Sequence, residues 1–174
     1  MITDFLKRIS AKDIVKSLIV VGALLAIAYM SYSLRSSTLD SPTVLDYDPW
    51  WFFRHAQEFL DNGFSFPQWD ELSYYPPGRP IEKFQGWPVS MAIMYTATQT
   101  FSSMSFVDFA KLSPIIMVLL SILPAYFLGK NLSNRWGGIL TALFIVLAPT
   151  YIAVSMGGYC DSDVVVSLYS VLLV

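Results

Sequence analysis

The chain has 174 residues, of which 55% are hydrophobic and 14% charged, with a mean hydropathy of +0.52 and a formal net charge of −2. A soluble domain carries about 25% charged residues, so this composition excludes an ordinary soluble domain and a disordered chain. The balance of 11 basic and 13 acidic residues gives no basic surface for nucleic acid, and the single cysteine, Cys160, excludes an intrachain disulfide and a Cys-rich zinc module.

The predicted elements are those of an all-α multi-pass membrane protein. Ser17–Leu34 is charge-free and close to the ~20 residues a membrane helix needs. Lys7, Arg8, Lys12 and Lys16 precede it against only Asp4 and Asp13, so residues 1–16 are expected in the cytoplasm. No small-residue cleavage site follows, which favours a retained helix over a signal peptide. Residues 35–111 are then an exterior loop with nine acids and five bases, and it holds Trp50, Trp51, Trp69 and Trp87. Two surface helices are predicted in it, over about 49–60 and 88–103. The first follows Asp48-Pro49, where Asp48 would cap and Pro49 open a helix. The second places Trp87, Met91, Met94, Tyr95 and Thr98 on one face and is expected to lie along the membrane surface.

Leu112–Gly129 is the second predicted span, and Trp136–Val154 the third, with Pro149 near its far end. The turn between them, 130–135, carries two cations and no acid and is expected in the cytoplasm. That parity leaves Asp161-Ser162-Asp163, in 155–163, on the exterior. It also predicts that Asn131-Leu132-Ser133, a glycosylation triplet, stays unmodified. A fourth span starts at Val164 and runs to Leu172-Leu173-Val174, so the chain is expected to be the N-terminal part of a longer membrane protein.

Two Asp-x-Asp motifs on one face of the membrane point to chemistry. Asp46-Tyr47-Asp48 opens the exterior loop, and Asp161 and Asp163 are the only charged residues beyond Arg135. Each acid has a plain alternative as a helix cap. Yet a cap needs one carboxylate, and two close together repel in a low dielectric unless a cation joins them. Oxygen ligands suit Mg²⁺, Mn²⁺ or Ca²⁺. A metal there could neutralise the phosphates of a lipid-linked donor. His55, the sole histidine, is expected to be packed rather than a ligand, because it lacks zinc-type partners.

Three stretches carry a resemblance: Asp46-Tyr47-Asp48-Pro49-Trp50-Trp51-Phe52-Phe53-Arg54, Tyr75-Pro76-Pro77-Gly78-Arg79-Pro80, and Gly158-Tyr159-Cys160-Asp161-Ser162-Asp163. In order and spacing the chain resembles the catalytic subunit of oligosaccharyltransferase, the family of eukaryotic Stt3, archaeal AglB and bacterial PglB, and is closest in pattern to the archaeal and eukaryotic members. The resemblance implies the N-terminal part of a GT-C type transmembrane domain. It implies transfer of a lipid-linked oligosaccharide to the amide of Asn in Asn-x-Ser/Thr of an acceptor polypeptide. It also implies Asp48 as the catalytic and metal-binding acid, Asp161 and Asp163 as further ligands, and Mn²⁺ or Mg²⁺ as cofactor. Asp46 matches a position that is not a required carboxylate in the family. The family's arginine seven residues before the second acidic motif is Val154 here, so Arg54, Arg79 or Lys83 would have to supply a cation for donor phosphate. The family's acceptor-binding Trp-Trp-Asp-Tyr-Gly motif does not occur in these residues, so this segment alone is expected to be inactive. The competing readings are another GT-C transferase with a lipid-phosphate sugar donor, and a non-enzymatic transporter or assembly subunit.

Overall fold

The computed structural model describes residues 10–81 and 85–173. Lys7, Arg8 and Lys83 lie outside the described residues. Helix α1, Ala11–Arg35, is capped by Ser10, whose side chain accepts from the Lys12 N–H. Its 25 residues extend about 37 Å, enough to cross a bilayer core of about 30 Å. Only Ile27, Ser31 and Arg35 are buried, a single stripe at i, i+4 and i+8. Val20, Leu24 and Ala28 pack partly against the core, while Leu18, Ile19, Val21, Leu25 and Met30 face outward, which suits a lipid contact.

Helix α2, Tyr47–Asp61, starts two residues before the expected position. Asp46, at φ 69°, is the cap, and its carboxylate accepts from the Tyr47 N–H at 2.7 Å. The cap reading of Asp48 is therefore corrected: Asp48 lies inside the first turn. A two-residue antiparallel ladder follows, β1 Trp69–Asp70 with β2 Arg79–Pro80, in the register Trp69↔Pro80 and Asp70↔Arg79. Gly78 turns the chain into β2 at φ 73°, and a Cβ there would lie 2.7 Å from the Asp70 carbonyl. Helix α3, Gly86–Thr98, ends five residues short of the expected boundary, and Trp87, Pro88, Met91 and Ala92 are its buried face.

Helix α4, Phe106–Leu132, is the second element long and apolar enough to cross a membrane, with mean hydropathy 2.0 against 2.1 for the α1 segment. It runs through Pro114 and Pro124. Pro114 frees the carbonyl of Ala110, and the Ser113 hydroxyl donates to that carbonyl at 2.8 Å. Helix α5, Arg135–Val146, packs back along α4 after a turn capped by Asn134. Glycine permits the approach: a Cβ on Gly138 would lie 2.6 Å from the Tyr126 carbonyl.

The expected third span is broken. α5 stops at Val146, and a five-residue helix α6, Pro149–Ala153, follows. Pro149 lacks an N–H and pushes Ala148 out of the helical region, to φ −58° and ψ 126°. Helix α7, Asp163–Leu172, lies beside α4. One apolar cluster joins the loop helices to the long ones: Phe53 and Ala56 from α2, Trp87 and Met91 from α3, Phe109 and Val118 from α4, Val146, Cys160 and Val164. The loop is thus docked on the helices.

Candidate active site

The acidic turn is held from several sides. Gly157 donates its N–H to the Arg35 carbonyl at 2.9 Å, and its own carbonyl accepts from the Thr38 hydroxyl at 2.7 Å. Gly158 donates to the Lys111 carbonyl at 2.8 Å and accepts from the Leu45 N–H at 2.8 Å. All four backbone polar groups of this dipeptide are therefore engaged, by the end of α1, by Thr38 in the turn after it, by α4 and by the residue preceding Asp46. Neither glycine tolerates a side chain easily. A Cβ on Gly157 would lie 2.7 Å from Leu39 Cδ2, and Gly158 sits at φ 89°. Lys111 is itself buried, with Nζ on the carbonyls of Leu39 and Ser41. Further along, the Cys160 carbonyl accepts from Trp87 Nε1 at 2.8 Å, and the Cys160 thiol faces the Pro49 carbonyl at 3.5 Å.

These contacts bring Asp48, Asp161 and Asp163 to one open cavity of about 650 Å³, together with Tyr47, Trp51, Phe52, Arg79 and Ser162. Asp48 and Asp163 are exposed, whereas Asp161 is buried. Asp161 Oδ1 accepts from the N–H and the hydroxyl of Ser162. Burial raises the Asp161 carboxyl above its ordinary value, and the charges of Asp163 and Asp48 add to that rise. The Tyr159 phenol is pushed up by burial and then by Asp46 and Asp161 beside it. Asp163 opens α7, whose cap position is Ser162, so it is not that helix's cap residue.

The predicted cations separate. Arg79 lines the acidic cavity and lies over the Trp51 ring, 5.8 Å from its centre. Arg54 does not line it. Its two terminal nitrogens grip Asp70 at 2.9 and 2.6 Å, and one also meets Glu58 at 2.7 Å. Burial alone would raise Asp70, but the Arg54 and Ser73 hydrogen bonds hold it well below the usual carboxylate range. His55 is 1% exposed and packs with its ring 4.3 Å from that of Trp51. Its Nε2 is 3.4 Å from Asp70 and its Nδ1 3.2 Å from Glu58. Burial, and then the Arg54 charge, lower its pKa. A second cavity, about 410 Å³, opens beside His55, Asp70 and Gln85 and shares Trp51 and Arg79 with the first.

Sequence reasoning missed Arg35 and Asp70, the buried partners of this arrangement. The signal for Arg35 was its i, i+4 spacing from Ser31, at the end of the charge-free run Ser17–Leu34.

A family profile described as "Oligosaccharyl transferase STT3, N-terminal" matches residues 14–174. The chain belongs to the STT3 family. Among curated STT3 relatives, the Schizosaccharomyces pombe dolichyl-diphosphooligosaccharide–protein glycosyltransferase subunit stt3 is 27% identical over 146 residues, 81% of this chain and 19% of its own. The Arabidopsis thaliana subunit STT3B is 30% identical over 137 residues, 74% of this chain and 18% of its own. The chain thus spans about a fifth of the length of these relatives. Its fold matches the apo crystal structure of the Archaeoglobus fulgidus oligosaccharyltransferase at a TM-score of 0.73 and 23% identity, over 88% of this chain and 18% of that one. A structure of the same archaeal enzyme in complex with Zn and sulfate matches at 0.72, over 86% and 20%. The fold is accordingly that of the N-terminal transmembrane region of the STT3 family.

Proposed function

We propose that this segment carries the acidic half of the active site of an oligosaccharyltransferase, which moves a lipid-linked oligosaccharide onto the Asn amide of Asn-x-Ser/Thr. The observation that supports this most is the convergence of Asp48, Asp161 and Asp163 on one cavity, with a buried Asp161 raised by burial and by its like-charged neighbours. Membership of the STT3 family and the names of its relatives favour the same substrates. We place the cavity on the exterior face, where the chain's basic flanks put the loop, and read α1, α4 and the broken α5–α6 segment as spans.

The donor set fits Mn²⁺ or Mg²⁺. It is oxygen only, and among the described residues no three His, Cys, Asp or Glu side chains form a ready-made cluster. Such ions use one or two carboxylates and complete their shell with water and substrate phosphate. Asp48 and Asp161 would hold the ion, with Asp163 beside it. A bound divalent ion would neutralise charge developing on the lipid phosphate. Asp48, exposed at the rim, is placed to accept a hydrogen bond from the acceptor amide and orient it. Arg79 offers a cation to phosphate in the place that Val154 leaves apolar. Trp51 and Phe52 form an aromatic wall of the cavity.

The test is peptide glycosylation by the intact protein with a lipid-linked oligosaccharide and an Asn-x-Thr peptide. Asp48→Asn and Asp161→Asn should each lower kcat by at least about 100-fold, the scale of one lost electrostatic stabiliser. Wild-type turnover in both would overturn the reading.

A further inference from the structure

We propose that Arg35 is a positioning residue for the acidic cavity, acting through Ser155 and Gly157 on the turn that carries Asp161 and Asp163. The inference rests on the function proposed above.

Arg35 is fully buried at the end of α1, yet among the described residues no carboxylate pairs with it. Its fork is spent on three segments instead. Nε donates to the Ser155 hydroxyl at 2.7 Å, Nη1 to the Ser31 hydroxyl at 3.0 Å, and Nη2 to the Val146 carbonyl at 2.8 Å. The guanidinium also lies 5.6 Å from the centre of the Tyr151 ring. The Val146 carbonyl is one of the groups left without a helical partner at the break before Pro149, so Arg35 fills a vacancy at this helix end. The backbone carbonyl of the same residue holds the Gly157 N–H.

Burying a cation without a counter-ion is unfavourable, and an apolar side chain could fill the space without that cost. What a packed methionine could not do is fix three acceptors in one plane. Two of those acceptors, Val146 and Ser155, bracket the break and α6. Five residues lie between Ser155 and Asp161, and among them Gly157 and Gly158 have no free backbone polar group. Arg35 thus holds the short segment that leads to the acids at two points, through its guanidinium at Ser155 and its carbonyl at Gly157.

The test is direct Mn²⁺ binding by the intact, detergent-solubilised protein, read from the electron paramagnetic resonance of free Mn²⁺. Arg35→Lys, which keeps the charge and loses the fork, should weaken Mn²⁺ binding at least about tenfold per folded molecule, as expected for residues that support metal ligands. Ser155→Ala, which leaves Arg35 intact, should shift it in the same direction. Asp161→Asn is the control for the site itself. If Asp161→Asn weakens binding while both supporting variants keep the wild-type Kd per folded molecule, the positioning role is overturned and the function above stands. If Asp161→Asn also keeps the wild-type Kd, the metal reading falls and the role of Arg35 falls with it. A loss of folded fraction alone, with Kd unchanged, marks a purely structural arginine and overturns the proposal.

Discussion

Trp87 Nε1 donates a hydrogen bond to the carbonyl of Cys160, 73 residues further along the chain and next to Asp161, at 2.8 Å. Both residues are buried, so the bond sits in a dry environment where its loss is expensive. Trp87→Phe keeps most of the aromatic volume and leaves the carbonyl unpaired. It should destabilise the intact protein by about 1–3 kcal/mol. Thermal unfolding in detergent measures this, and a change within about 0.5 kcal/mol, the usual range for surface substitutions, would refute it.

The glycines separate into two kinds. Gly22 has nothing within 4 Å of a built Cβ, whereas a Cβ on Gly157 meets Leu39 and the Arg35 carbonyl. Gly22→Ala should be neutral or stabilise α1 by up to about 1 kcal/mol. Gly157→Ala should destabilise by about 1–3 kcal/mol through overpacking. The sign difference between the two, measured in one unfolding assay, is the expected outcome.

Arg54 bridges two carboxylates, and its partner Asp70 has a side chain only 2% exposed. Arg54→Ala leaves a buried carboxylate without its counter-ion and should cost about 3–5 kcal/mol. Because Arg54 does not line the acidic cavity, Mn²⁺ affinity per folded molecule should stay at the wild-type value. A loss of affinity without a loss of stability would return Arg54 to the site.

The same cluster sets a pH dependence. His55 has a folded pKa below its ordinary 6.5, because burial and the Arg54 charge outweigh the pull of Glu58 and Asp70. The unfolded chain therefore takes up a proton first. The stability tied to neutral His55 is complete above about pH 6.5 and is lost as pH falls toward the folded value. Asp70 contributes above its unfolded value of 3.8, and that contribution is lost only at lower pH, through its depressed folded value. Melting temperature should fall between pH 7 and pH 5 in the wild type. The slope should flatten in His55→Gln, and an unchanged slope there would exclude His55 as its source.

Cys160 should be chemically silent. It is fully buried, and burial pushes its thiol up to about 12. Maleimide at pH 7.5 should label it only after unfolding, because the thiolate is the reactive form. Rapid labelling of the native protein would contradict this packing.

The sequence made the long helices legible because α1 and α4 each contain a charge-free apolar run, Ser17–Leu34 and Leu112–Gly129. The acids were legible because the chain beyond Arg135 has no other charge. Less legible was anything decided by partners far along the chain. The start of α2 is drawn back to Tyr47 by the Asp46 cap and by the bond from Leu45 to Gly158, which no local pattern announces. Arg54 looked free for phosphate because Asp70 stands 16 residues away, in a two-residue strand that the sequence pattern did not announce. Pro149 was visible, but a charge-free run of 19 residues gave no reason to expect a break. Only the fold shows which side chain meets the carbonyl that the break releases.

The grip of Arg35 also has a history in time. Ribosomal synthesis delivers Arg35 long before its partners, since Val146 follows 111 residues later and Ser155 120. Until then only Ser31, one turn back, can answer its guanidinium. During that interval the charge is best kept in water or among polar headgroups, at the exposed end of α1. The arrival of α5 and α6 then draws that cation inward, making the burial of Arg35 a marker that α1 has packed with α5 and α6.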